Sequence, residues 1–287
     1  MLSNIFSELD PNALKAQFQN ARPFPFVEID PFLTPEAATR IANAYPEFDT
    51  ALSQGRSFDF VNEKRKVQIT ERDRFPDPVA ELNDAIASPE FLELLEEVTG
   101  IPKLLADSEL AGGGMHLTGA QGRLDVHVDF NFIEERKLHR RLNLLLYLNP
   151  VWRNEWGGAV EFWDPKVKTC HHAFRPTMNR CVIFETSEIS FHGVEPVTCP
   201  EDVARKSFAA YYYTKEPPAG WDGKNHSTVF RARPDERLRG YVLMPLEKLA
   251  REGTERAKGG VKSGIKKGIR AAAKGIDTVK RLRKNED

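Results

Sequence analysis

The rhythm of apolar and polar positions changes near residue 112. Before that point the chain reads as helices joined by short extended pieces. Asp10-Pro11, Thr34-Pro35 and Ser88-Pro89 each set a capping side chain ahead of a proline suited to the first helical turn. The run SPEFLELLEEVTG closes on Gly100, a helix-stopping residue, and FPFVEIDPFL reads as a strand feeding a helix. After Gly112 come short β-type runs: LDVHVDF, LNLLLYLN, AVEFW, CHHAF, RCVIFE, SFHGVEPV and KSFAAYYYT. Gly, Pro and Asn clusters separate them, which predicts a mainly β (α+β) chain, a sandwich or jelly roll with N-terminal covering helices. Beyond Pro217 the pattern fades into PPAGWDGKNH and a short closing segment to about Leu249. The expected division is a helical support region over 1–105, a β core over 106–250 and a tail over 251–287.

Composition narrows this picture. In 287 residues, 40% are hydrophobic and 18 are Phe, enough for a large core in a soluble globular protein. No leader-like N-terminus and no bilayer-length apolar run is present. Cys170, Cys181 and Cys199 have neither disulfide-framework nor zinc spacing, so a reducing, cytoplasmic setting is expected. The net charge of −1 conceals an asymmetry. Residues 258–284 hold ten Lys or Arg against the single acid Asp277, a charge of +9 that leaves −10 for the rest. Val261, Ile265, Ile269, Ala272, Ile276 and Val279 would form an apolar stripe on a helix, although the glycines among them weaken that helix. The tail therefore has three readings: a solvated segment, a helix lying peripherally on an anionic membrane, or a nucleic-acid contact.

Candidate chemistry starts in LDVHVDF. On a strand, Leu124, Val126, Val128 and Phe130 share one face, and Asp125, His127 and Asp129 the other. His127 and Asp129 can then reach one ion, although a solvent-facing polar strand would look the same. His192 follows 65 residues later in a second candidate strand. Two His and one carboxylate suit non-haem Fe(II) with open coordination positions, and the absence of thiolates argues against structural zinc. No general base is evident beside the set, which leaves a zinc hydrolase least favoured. Further on, Arg205 and Ser207 share a strand face, a guanidinium fork and a hydroxyl that suit a carboxylate.

The succession HVD, RRLNLLLYLNPVW, GGAVEFWD, RPTMNRCVIFE, FHGVEP and RKS resembles the catalytic core of the prolyl 4-hydroxylase-like 2-oxoglutarate oxygenases over about residues 112–215. The lead-in FVEIDPFLTPEAA fits as well. The resemblance implies a double-stranded β-helix (jelly roll) in which His127, Asp129 and His192 hold Fe(II). It also implies that Arg205 pairs with the distal carboxylate of 2-oxoglutarate, with Tyr147 as a further contact. The implied reaction hydroxylates an unactivated C–H bond, consuming O₂ and releasing succinate and CO₂, with ascorbate a candidate accessory. The substrate would be a prolyl residue of a protein or peptide, or else a small molecule or glycan precursor. A reading of another class is a non-catalytic jelly-roll binding module attached to an anionic surface by its tail.

There are departures. Leu117 stands where many members have a co-substrate-binding tyrosine, with His116 beside it; collagen-type members have Lys at the position of Arg205; and the loop from His192 to Arg205 is longer than in the hypoxia-sensing enzymes. Among the remaining histidines, His171 and His172 should face opposite ways, His139 should lie in a solvated loop at the site mouth, and His226 has no visible partner. Gly157-Gly158 predicts a tight turn, while Trp152, Trp156 and Trp163 are divided between a substrate groove and the core.

Overall fold

The computed structural model describes residues 5–236 together with Met244, so the basic stretch 258–284 and its partner readings lie outside the described residues. Five helices precede the main strands: α1 (Pro11–Asn20), α2 (Pro35–Ala44), α3 (Phe48–Gln54), α4 (Asp77–Ile86) and α5 (Pro89–Thr99). The expected caps are in place. Asp10 accepts from the Asn12 and Ala13 amides, Thr34 from Ala37, and Ser88 from Phe91, each stabilising its helix by about 1 kcal/mol. Gly100 ends α5 at φ +74°. No helix among the described residues is long and apolar enough to cross a membrane.

The strands are β1 (Phe26–Ile29), β2 (Arg56–Phe58), β3 (Glu63–Ile69), β4 (Leu105–Ala106), β5 (Gly114–Val128), β6 (Phe132–Ile133), β7 (Leu138–Tyr147), β8 (Val160–Trp163), β9 (Cys170–Phe174), β10 (Cys181–Glu185), β11 (His192–Val194), β12 (Ala204–Thr214) and β13 (Val229–Arg231). They form one curled antiparallel sheet in the order β1-β10-β7-β12-β5-β11-β8-β9, a double-stranded β-helix. β5 serves both halves. Its first part pairs with β12, and its last part with β11. Between the parts Gln121 adopts φ +63°, and a Cβ on Gly122 would lie 2.3 Å from Thr118 Cγ2, so this corner requires glycine.

Alternation decides which side chains face inward. Leu117 on β5, Leu142, Leu144 and Leu146 on β7, and Phe208 and Tyr212 on β12 point outward and share one core with Phe18, Ile41, Phe91 and Leu95 of the helices. Their neighbours His116, Thr118, Asn143, Leu145, Arg205, Ser207 and Tyr211 point inward and line a cleft. The helices thus brace the outside of the sheet that carries the cleft.

Two expectations need correcting. Residues 56–69, expected among helices with short extended links, form the hairpin β2–β3, which extends the sheet along β5. Its sequence EKRKVQI is polar on both faces at first, so alternation does not announce it. His139 is not in a solvated loop. It is 6% exposed on β7, edge-on to Trp221, because the chain turns at Lys137 (φ +54°) and enters the strand at Leu138.

Candidate metal centre

β11 lies antiparallel to β5 with His192 directly opposite His127, which brings the two imidazoles side by side with ring centroids 4.3 Å apart. Asp129, two residues beyond His127 and just past the end of β5, returns to the same face. Its Oδ1 lies 3.5 Å from His127 Nε2 and its Oδ2 3.5 Å from His192 Nε2. One ligand atom from each residue lies within 4.8 Å of the others. An ion with bonds of about 2.0–2.2 Å spans gaps of this size.

Hydrogen bonds prepare the donors. His127 Nδ1 is 2.9 Å from the Asp125 carbonyl and His192 Nδ1 is 2.9 Å from the Ser190 carbonyl. A carbonyl only accepts, so both Nδ1 atoms carry the proton and both Nε2 lone pairs face the ion position. Burial and the neighbouring His127 lower the His192 pKa to about 3, keeping the ring neutral. Burial alone would raise the Asp129 carboxyl, but the Arg140 guanidinium and the two imidazoles outweigh it and hold the group well below the usual carboxylate range. The donor set is therefore two imidazoles that turn Nε2 toward the ion position and a carboxylate, the composition non-haem Fe(II) favours.

Asp129 has an outer shell that the sequence did not disclose. Asn143 Nδ2 donates to its Oδ2 at 2.8 Å, and Arg140 Nη2 lies 3.1 Å from the same oxygen. Arg140 Nε donates to Asn143 Oδ1 at 2.9 Å, and its guanidinium lies 3.5 Å from the centre of the Tyr211 ring. Residues 140 and 143 would face opposite ways on a regular strand. Here Tyr212 pairs with Leu142 and Tyr213 with Arg140, so Arg141 is an extra residue that turns Arg140 inward.

Arg205 stands on the adjoining wall. It is 5% exposed, donates through Nε to the Gly158 carbonyl at 2.7 Å and through Nη1 to Ser207 Oγ at 3.3 Å, and lies over the Tyr147 ring. Among the described residues no carboxylate pairs with it. Gly158 sits at φ +74°, and a Cβ there would press to 3.2 Å from Arg205 Cδ, so the expected glycine turn also makes room for the guanidinium. Tyr147 is fully buried beneath Arg205, which is the cation its hydroxyl feels. Burial pushes that hydroxyl up to about 12, against the pull of the Arg205 charge. Leu117 points into the outer core, whereas His116 faces the cleft, its Nε2 3.1 Å from the Gly112 carbonyl.

The other candidates fall elsewhere. His171 is exposed, and His172 bonds the Arg22 carbonyl. His226 does have a partner, Glu188, at 2.9 Å. Trp163 is core, and Trp152 and Trp156 form an edge-to-face pair near Val197. None of the three lines the cleft. Asp125, expected beside the ligands, is buried in a charge network instead. Arg123 bridges Asp125 and Glu236, and Arg233 binds Glu161 at 2.6 Å and the Leu124 and Val194 carbonyls. A guanidinium from the C-terminal side thus ties together the strands that carry His127 and His192.

A curled β-helix with two histidines and an aspartate converging at its open end, next to a buried arginine, defines the class of mononuclear non-haem iron proteins. Residues 113–213 match the model of the 2OG-Fe(II) oxygenase superfamily, and the fold is similar to that of solved prolyl 4-hydroxylase-like proteins. A Pseudomonas putida prolyl-4-hydroxylase superposes with a TM-score of 0.52 at 13% identity, over 71% of this chain and 100% of that one. The epimerase SnoN from nogalamycin biosynthesis superposes at 0.50 and 15% identity, over 74% and 86%. In sequence, a segment of 78 residues is 33% identical to prolyl 3-hydroxylase OGFOD1 of Mus musculus. It covers 26% of this chain and 14% of that relative. The donor set and the family together point to Fe(II) and 2-oxoglutarate as cofactor and co-substrate.

Proposed function

We propose that this chain is an Fe(II)- and 2-oxoglutarate-dependent dioxygenase that hydroxylates a C–H bond, converting R–H, 2-oxoglutarate and O₂ to R–OH, succinate and CO₂. His127, Asp129 and His192 are the metal ligands in this reading, and Arg205, Ser207 and Tyr147 hold the co-substrate. One observation carries it: a buried guanidinium with no counter-charge among the described residues shares a cleft with two imidazoles and a carboxylate. An unpaired buried charge costs several kcal/mol, and a dicarboxylate that reaches from the metal to Arg205 removes that cost. The metal and the 2-oxoacid, when bound, supply oxidative decarboxylation coupled to insertion of oxygen into a C–H bond.

The protein's own work is positional. Asp125 and Ser190 carbonyls fix the imidazole tautomers. Arg140 and Asn143 fix the carboxylate. Arg205 and Ser207 orient the 2-oxoacid along the cleft, and the outer apolar core keeps the wall behind them dry. The substrate in this reading is a prolyl residue of a peptide or protein, supported by the local identity to a prolyl 3-hydroxylase. The test is succinate formation with Fe(II), 2-oxoglutarate and prolyl peptides, with amino acids and sugars as a comparison panel. Asp129→Ala should lower turnover by a factor of about 100 or more. Wild-type protein that binds neither metal nor 2-oxoglutarate would refute the proposal.

A further inference from the structure

The inner wall of the sheet holds a second cation whose position is set by register. Arg205 on β12 pairs with Thr118 on β5, and Thr118 pairs on its other side with Lys66 on β3. Neighbouring strands lie about 4.8 Å apart, so Lys66 and Arg205 flank Thr118 from backbones about 10 Å apart. Paired residues project from the same face, and all three line the cleft.

Lys66 is brought there by an irregularity. Arg65 takes φ +49°, and the pairing of β3 with β5 shifts register between Lys64 and Lys66. A bulge of this kind re-aims the side chain that follows it. Among the described residues the ammonium makes one hydrogen bond, to Glu63 at 2.9 Å, although lysine has three donors. The charge is felt inside the cleft, where Lys66 and Arg205 add to the effect of burial in keeping His116 neutral.

We propose that Lys66 is a second anchor for the distal carboxylate of 2-oxoglutarate, which it shares with Arg205 across the Thr118 hydroxyl. The inference rests on the 2-oxoglutarate reading above. Arg205 presents a fork from one side, Lys66 a point charge from the other, and Thr118 a hydroxyl between them. Glu63 competes with the ligand for the same ammonium, so it moderates the affinity.

The experiment is calorimetric titration of the full-length, Mn(II)-loaded protein, without O₂, against 2-oxoglutarate and against 2-oxobutanoate, which keeps the 2-oxoacid head and lacks the distal carboxylate. Lys66→Met should weaken 2-oxoglutarate roughly tenfold and leave 2-oxobutanoate unchanged, while Lys66→Arg retains most of the affinity. Glu63→Gln should tighten 2-oxoglutarate, the opposite of what loss of a structural ion pair would do. Wild-type affinity in Lys66→Met, equal loss of both ligands, or weaker binding in Glu63→Gln would overturn the assignment of Lys66 and leave the dioxygenase reading intact. If the wild type prefers neither ligand, both fall together.

Discussion

Replacing Arg140 with methionine separates the demands of the metal-free fold from those of the metal centre. Methionine keeps an apolar stem of similar length and removes the charge, the donors and the guanidinium's place over the Tyr211 and Phe130 rings. In the metal-free protein, Asp129 then keeps the Asn143 hydrogen bond at 2.8 Å but loses the guanidinium at 3.1 Å. Removing one member of a buried pair costs about 3–5 kcal/mol, and the surviving hydrogen bond recovers about 1 kcal/mol. A net loss of about 2–4 kcal/mol corresponds, for a fold of this size, to a fall in Tm of about 5–15 °C. A divalent ion supplies a new counter-charge to the same carboxylate. Its binding should therefore raise the Tm of Arg140→Met by more than it raises that of the wild type, since a ligand bound only by the folded state stabilises through its own affinity. The assay is thermal unfolding by circular dichroism with and without saturating Mn(II). An unchanged metal-free Tm, or a deficit that persists in full with metal bound, would refute the assignment of Arg140 to Asp129.

Arg205→Ala should raise the 2-oxoglutarate requirement thirtyfold or more, as expected for about 2–5 kcal/mol lost with a buried charged partner, while Mn(II) still binds. Arg205→Lys should restore part of this, and titrations of both variants check it. Gly158→Ala forces a Cβ against Arg205 at a positive φ, so it should weaken 2-oxoglutarate binding and cost about 1–3 kcal/mol of stability, measured by denaturant unfolding. Arg233→Met should leave Glu161 buried without its guanidinium partner, lowering Tm on a scale of about 3 kcal/mol despite its distance in sequence from His127, Asp129 and His192.

The three converging side chains were legible because each lies in a strand-like run and the runs fall in a familiar order. The helix starts were legible because Asp10, Thr34 and Ser88 stand before prolines, a local signal that needs no tertiary knowledge. What stayed hidden depends on broken periodicity. Arg140 sits in a charged stretch that reads as solvated, and only the extra residue at Arg141 turns it inward beside Asn143. Lys66 likewise reaches the cleft through the bulge at Arg65, in a strand whose early residues are polar on both faces. Asp125 carried the opposite difficulty. Its alternation put it with the ligands, but its ion pair depends on Arg123 and on Glu236, 111 residues away.

The fastening by Arg233 bears on where the working unit ends. The family match stops at residue 213, yet Glu161, Asp125 and the carbonyls of both histidine-bearing strands are closed off by residues beyond that limit. The other edge of β5 is covered by β3, which precedes the match, and by β13, which follows it. A fragment trimmed to 113–213 would expose a long, unpaired strand edge and leave Glu161 buried without its Arg233 partner, both routes to self-association. Anyone seeking a minimal portable version of this protein should therefore keep the N-terminal hairpin and carry the chain through at least Glu236.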